Sequence, residues 1–407
     1  METDIMKADA HWLNRERLII YPRIFLALFL VIAVGFFLTS KNIEDQHVCD
    51  FITFWAASHL ALTGHAQDAY SIPLLFKAEQ IAEPASQIAF PWYYPPSFFL
   101  VVLPLALLPY LAAYWSFILS TLGAYLLVLR RIVRGNIAMW CLAGFSGLWI
   151  NLIAGQNGFL TAALAGAALL CIERRPVLAG LIIGLLAIKP HLAILFPVAL
   201  IAIGAWRTLI ISVITAITFT VISTATLGIS VLRGWFASLG YARLSLENGS
   251  VRWTKMPSVF ASLRLLGMPV EWSYLVHFIV AVIAVIAVWR VWNRSQNRNL
   301  RGAALMTATL LVSPYVFDYD LAWLAFPIAW LALDGLRNGW LRGEREVLVV
   351  TWLLPLMMIL IAIAVHVQVG SLVLCILLWI TVRRAALASA SEYHTDRFET
   401  LRQAVSP

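Results

Sequence analysis

The chain has 407 residues, 61% of them hydrophobic and 12% charged, with a mean hydropathy of +0.84. Soluble domains run near 45–50% apolar and about 25% charged, so a soluble enzyme or binding module is excluded and an all-α polytopic membrane protein is expected. The formal charge of +8 would suit a nucleic-acid partner, but its distribution speaks against one. If the apolar runs alternate across a bilayer, twenty-one of the 29 lysines and arginines fall at the ends that share a side with the N-terminus. That is the positive-inside pattern, and no nucleic acid is expected as a partner.

In chain order, the run 18–38 matches the roughly 20 residues of a bilayer-spanning helix. It is too long for a signal-peptide core and lacks a small-x-small cleavage pattern, so a retained anchor is expected. Eleven further spans are read at 111–130, 137–153, 158–172, 176–188, 192–205, 208–228, 270–292, 301–316, 320–334, 346–365 and 369–382. The whole of 1–407 then forms one integral membrane domain of about twelve transmembrane helices. Residues 39–110 make a first outer loop, 229–269 a second large outer loop, and 383–407 a cytoplasmic tail. The apolar stretch 97–110 carries Pro104 and Pro109 and is read as re-entrant or surface-lying, which membranes tolerate where protein covers the backbone. One of four cysteines, Cys49, lies in an outer loop, so no intramolecular disulfide is expected on that side.

The first outer loop gathers Glu44, Asp45, His47, Asp50, His59, His65, Asp68, Glu79 and Glu83. Asp50 precedes a predicted amphipathic helix whose Phe51, Phe54, Trp55 and Leu62 are expected toward lipid. Asp50 is either the N-cap of that helix or a carboxylate base at the membrane surface, and both roles can coexist. Gly155-Gln156-Asn157-Gly158 is a polar turn between spans whose amides also suit sugar hydroxyls. Lys189-Pro190-His191 puts a cation against the end of a span: either a lysine snorkelling to the interface or a ligand for a lipid phosphate, with His191, Arg252 and Lys255 beside it. Asp318-Tyr319-Asp320 has the look of a DxD metal motif, but an aspartate opening the next helix is the expected reading. The outer histidines show no metal-binding spacing, and the sequon Asn248-Gly249-Ser250 is uninformative. With this topology all these polar clusters share one face, which favours a one-sided active site. A transporter, the rival class, would put functional polar groups near the bilayer midplane or on both faces.

The order Asp50-Phe51-x-x-Phe54-Trp55, Tyr94-Pro95-Pro96, Gly155-Gln156-Asn157, Lys189-Pro190-His191 and Ser313-Pro314-Tyr315 through Asp320 resembles glycosyltransferase family 87. The resemblance spans roughly 50–330 and implies a GT-C-type glycosyltransferase fold. It implies transfer of a hexose, mannose first of all, from a polyprenyl-phosphate-linked sugar donor to a lipid or glycan acceptor of a bacterial envelope. The reaction would take place on the extracytoplasmic face of the inner membrane, with both termini cytoplasmic. Asp50 occupies the place of the family's catalytic carboxylate and would act as general base. Lys189, His191, Arg252 and Lys255 would hold the donor phosphate. Tyr93, Tyr94, Gln156, Asn157, Tyr315, Asp318 and Asp320 would line the substrate site. Because the leaving group is already an anionic phosphate, metal-independent chemistry without a cofactor is expected. Trp92, Tyr93, Tyr94 and Trp253 are expected either on sugar faces or, for most of them, at the headgroup level.

Overall fold

A computed structural model describes residues 11–39 and 49–405. Glu44, Asp45 and His47 of the first outer loop lie outside the described residues. Within the described residues the protein is all-helical, with no strand. A 25-residue helix, α1 (Arg15–Thr39), is followed by the short helices α2 (Ile52–Leu62), α3 (Ile72–Ala82) and α4 (Pro96–Val102). Then come α5 (Tyr110–Ile132), α6 (Asn136–Ala143), α7 (Ser146–Ala154), α8 (Gly158–Cys171), α9 (Pro176–Leu185) and α10 (Phe196–Ala202). The chain continues with α11 (Trp206–Leu227), α12 (Ile229–Asn248), α13 (Val259–Leu265) and α14 (Val270–Arg294). It closes with α15 (Arg298–Val312), α16 (Ala325–Asn338), α17 (Glu344–Val365) and α18 (Gly370–Val405).

Among the described residues, five helices are long and apolar enough to cross a membrane: α5, α11, α14, α17 and residues 370–389 of α18. The pair α6 and α7 makes a sixth if its 50° bend lies within one span. Every other expected span is built at least partly of helix, but α8, α9 and α10 are short. In α15 every residue from Leu300 to Leu311 is buried by other helices. An apolar surface all round a helix signals burial but does not say whether lipid or protein does the burying. That ambiguity is why the composition suggested twelve spans.

Close helix contacts come from small residues. On α9, a Cβ at Gly180 would come within 2.7 Å of the Thr208 carbonyl oxygen, and one at Gly184 within 2.4 Å of the Thr215 Cβ. This small-xxx-small stripe lets α9 and α11 pack backbone to backbone, the usual device where lipid offers no hydrophobic drive between helices. At the arginine-rich end, the buried Arg384 of α18 is shared by Asp334 of α16, the Gly339 carbonyl (2.8 Å) and Glu344 of α17 (2.5 Å). Asn297, which caps α15, donates to the same Asp334 at 2.6 Å. Arg384 therefore ties α18 to the C-terminal end of α16 and the start of α17, and through Asp334 to the N-cap of α15.

A second core, separate from that of the main bundle, lies under the first outer loop. Phe51, Phe54, Phe98, Phe99 and Trp92 are essentially buried there with Phe117 and Ile118 of α5. This overturns the expected amphipathic reading of α2. Phe51 and Phe54 are fully buried and Trp55 is 8% exposed, leaving only Leu62 on the outside. The physical reason is aromatic packing: Phe54 meets Trp92, Tyr94, Phe98 and Phe117 edge-on, geometry that adds to the burial itself. Trp92, stacked on Phe98 and 1% exposed, is likewise a core residue and no headgroup anchor.

Candidate active site

The residues Gly155 to Gly158 are where α7 gives way to α8. Gly155 ends α7 with φ +66°, the left-handed conformation that closes a helix C-terminus and that glycine adopts without strain. Gly158 opens α8 so close to the 318–324 turn that a Cβ there would lie 2.4 Å from the Tyr319 carbonyl oxygen. Between these two glycines, Gln156 and Asn157 are held inward, 4% and 0% exposed. Trp323 Nε1 donates to Thr161 Oγ1 of α8 (3.0 Å) and Tyr125 OH of α5 to the Ala322 carbonyl (2.8 Å), fixing the 318–324 turn against both helices.

Gln156 organises one half of the site. Its Oε1 accepts from Tyr94 OH at 3.0 Å and from the Asn157 N–H at 3.2 Å. Its Nε2 then donates to Oδ2 of Asp50 at 3.3 Å. Asp50 precedes Phe51, the N-cap of α2, and its side chain bonds Gln156 of the 155–158 turn and not the start of α2. Among the described residues, Asp50 Oδ1 takes no hydrogen bond. Tyr94 is placed by its own carbonyl, which accepts from Tyr70 OH at 2.8 Å, and the Tyr93 carbonyl accepts from Trp235 Nε1 at 3.3 Å.

Lys189 organises the other half. It caps a 3-10 turn (Leu186–Ile188), is 4% exposed, and donates to Asp320 Oδ1 at 2.5 Å and to Asn157 Oδ1 at 3.4 Å. Its ammonium also lies 4.8 Å from the centre of the Tyr319 ring. Asp320 uses its second oxygen to accept from the Phe317 N–H, closing the start of the 318–324 turn. Asp318 accepts from the Tyr319 N–H at 3.0 Å, and Lys255 of the second outer loop lies 3.9 Å from its other oxygen. The Tyr315 ring packs edge-on to those of Tyr93 and Phe317.

The structure therefore joins Asp50, Tyr94, Gln156, Asn157, Lys189 and Asp320 into one hydrogen-bonded chain, with Asp318, Lys255, Tyr93 and Tyr315 on its border. It leaves Arg252 exposed. It places His191 next to Lys189 in sequence but makes it a poor cation: burial first, then the Lys189 charge, holds it down at about 3. His191 is neutral at physiological pH, and its Nε2 is buried without a hydrogen-bond partner among the described residues. The three aspartates outnumber the two lysines among them, and withdrawal from water adds to the imbalance. Burial raises Asp50, opposed by the charge of Lys255, the Gln156 hydrogen bond and the charge of Lys189. Burial also lifts Asp318 to about 6, against Lys255 and with the nearby Asp50 charge adding to the rise. Tyr70 and Tyr319 enter the site without having been singled out from sequence. Tyr319 sat inside a motif already noted, whereas nothing marked Tyr70. Among the described residues no group of three or more His, Cys, Asp and Glu side chains is placed to hold a metal ion.

Chemically, the site offers a partly buried carboxylate with one oxygen oriented and the other open, a wall of tyrosines and amides, and a lysine at the rim. No curated protein matches the chain, and neither does any solved structure. A family profile, that of glycosyltransferase family 87, matches residues 92–314. The matched stretch takes in Tyr93, Tyr94, Gln156, Asn157, Lys189, His191, Arg252 and Lys255, while Asp50 precedes it and Tyr315, Asp318 and Asp320 follow it. It covers more than half of the chain, and with these apolar helices around the site the chain belongs to glycosyltransferase family 87, as a membrane glycosyltransferase.

Proposed function

We propose that the chain transfers a hexose, mannose in the first instance, from a polyprenyl-phosphate sugar to a lipid or glycan hydroxyl, with Asp50 as general base. The observation that carries this reading is the fixed orientation of Gln156. Its oxygen is held by Tyr94 and Asn157, so its N–H₂ faces Asp50 Oδ2 and leaves Oδ1 without a hydrogen bond among the described residues. In the reaction Asp50 takes the proton of the acceptor hydroxyl, whose oxygen attacks the anomeric carbon. The bond from that carbon to the phosphate oxygen breaks, and the electron pair leaves on the lipid phosphate. A carboxylate raised toward neutrality is a better base at physiological pH than an ordinary aspartate.

The donor phosphate needs cations that are not already neutralised. Lys189 is matched by Asp320 and His191 is neutral. Both therefore shape the site, and the exposed Arg252, with Lys255 held only loosely at 3.9 Å from Asp318, supplies the charge that meets the phosphate. The positive-inside distribution supports an outward-facing site, where a lipid-linked donor and an envelope acceptor would meet.

The test is Asp50→Asn in purified, membrane-reconstituted protein supplied with polyprenyl-phosphate mannose. The amide is isosteric and still accepts from Gln156, so the fold is kept. Loss of a positioned general base removes about 10²–10⁴-fold in rate. Transfer at the wild-type rate would remove Asp50 from the chemistry. Polyprenyl-phosphate glucose in a parallel reaction reads the sugar.

A further inference from the structure

A second polar cavity opens at the other end of the bundle. Helix α8 starts beside Asn157 and ends at Cys171, and α15 ends beside Ser313 and starts at Arg298. At 1.5 Å per residue each helix spans about 21–22 Å, so their far ends lie about 20 Å from the Asp50 site. Between those far ends lies a cavity of about 690 Å³, with Glu173, Asn293, Gln296, Arg298 and Arg301 on its polar side and the end of α10 as an apolar wall.

The charges in it are incompletely matched. Arg298 pairs with Glu173 and is largely exposed. Arg301 is 9% exposed and reaches the same carboxylate only at 4.0 Å, with a long 3.4 Å hydrogen bond to Gln296. Its guanidinium lies 5.9 Å from the centre of the Trp292 ring. Its Nε is buried with no hydrogen-bond partner among the described residues. Two guanidinium groups thus share one carboxylate, and a buried donor is left unmet, which costs the desolvation of that group. Arg298 and Arg301, three residues apart on one face of α15, bring two positive charges to one carboxylate, and their N–H forks suit an oxyanion that accepts from both.

We propose that this cavity is a second ligand site, apart from the Asp50 centre, that takes a phosphate-bearing anion between Arg298 and Arg301. The phosphate comes from an anionic lipid headgroup at the arginine-rich membrane surface, where such lipids concentrate, or from a soluble phosphate. The apolar wall of α10 fits the first.

The experiment uses the full chain in a neutral detergent and measures binding from thermal stabilisation. The probes are dioctanoyl phosphatidylglycerol, dioctanoyl phosphatidylcholine and inorganic phosphate. Wild-type protein is stabilised by phosphatidylglycerol and not by phosphatidylcholine, and Arg298→Gln and Arg301→Gln each weaken binding about tenfold or more. Arg298 is exposed enough for its variant to fold, and Arg301→Lys, which keeps the charge, retains part of the affinity. Stabilisation by inorganic phosphate at equal concentration identifies a soluble anion as the ligand; stabilisation by the lipid alone identifies a headgroup. The proposal is overturned if neither phosphate probe stabilises the wild type. It is equally overturned if both Gln variants bind as the wild type does, or if Lys255→Gln alone removes the effect, which would place the anion at the catalytic end.

Discussion

An amide side chain can turn either its oxygen or its nitrogen toward a carboxylate, and at Gln156 two donors settle the choice. With Tyr94 OH and the Asn157 N–H both on Oε1, only the N–H₂ remains for Asp50. Asp50 must be ionised to accept a proton, so transfer falls as pH drops through its pKa, which burial has raised. Lys255 is the largest influence opposing that rise. Lys255→Gln should therefore shift the acid limb of kcat/KM to higher pH and weaken use of the phosphate donor. A limb that stays in place would mean that Asp50 does not set the profile. Lys189 behaves differently because its partner Asp320 is fully buried. Removing one member of such a pair strands the other charge, a loss of about 3–5 kcal/mol. Lys189→Met should lower the unfolding midpoint, and Lys189→Met with Asp320→Asn should recover part of the loss. Equal midpoints for the single and double variants would show that the pair is not coupled. The motifs 50–55, 94–96, 155–157, 189–191 and 313–320 could be read as one site from their order and the face they share in the expected topology. That Lys189 meets Asp320, 131 residues away, could not, because no local pattern encodes a tertiary ion pair.

At the scale of elements, the first outer loop behaves as a small folded unit with its own core. Its second helix, α3, carries Glu79, which is fully buried and accepts the Phe90 N–H with both carboxylate oxygens, at 3.3 and 3.2 Å. This contact fixes the irregular segment that runs on through Trp92 to Tyr94, and so reaches the candidate active site. Burial raises Glu79 to about 8 from 4.5, with the Phe90 hydrogen bond opposing it. A carboxyl whose folded pKa is raised favours the fold fully below its unfolded value, and that contribution is lost as pH climbs to the folded one. Wild-type stability should therefore fall, through this group, between about pH 4.5 and 8. Glu79→Gln keeps an acceptor for Phe90 and cannot ionise. Unfolding midpoints across that range should show the variant gaining on the wild type as pH rises; parallel curves would contradict the burial of an ionisable group here. The sequence placed α2 as lipid-facing because Phe, Trp and Ile look alike to a membrane and to a core. Only the aromatic neighbours contributed by 92–99 and 117 distinguish the two, and they lie 40–65 residues away.

For the molecule as a whole, the two ends of the bundle are chemically different and are joined by helices that run the full distance between them. At one end Asp50, Tyr94, Gln156, Lys189 and Asp320 interlock. At the other, contacts again link segments that are remote in sequence: Glu173 with Arg298, Arg384 with Asp334 and Glu344, and Ser389 with the Arg294 carbonyl. Glu173, Arg294, Arg298, Asp334 and Glu344 of this second set sit at helix ends or in the turns between them, and Arg384 and Ser389 meet them from within α18, so the sorting seen in the sequence is also a sorting in space. In the proposed orientation, which follows the positive-inside rule, the arginine end is cytoplasmic and the carboxylate site faces outward. Two exposed positions report the two ends: Ser250 in the loop that carries Arg252 and Lys255, and Arg337 at the end of α16. In a background lacking the four native cysteines, Ser250→Cys should react with a membrane-impermeant maleimide in intact cells. Arg337→Cys should react only after the membrane is opened. Labelling of both from one side would break the link between charge and position. The reverse pattern would put Asp50 in the cytoplasm, where an envelope acceptor could not reach it.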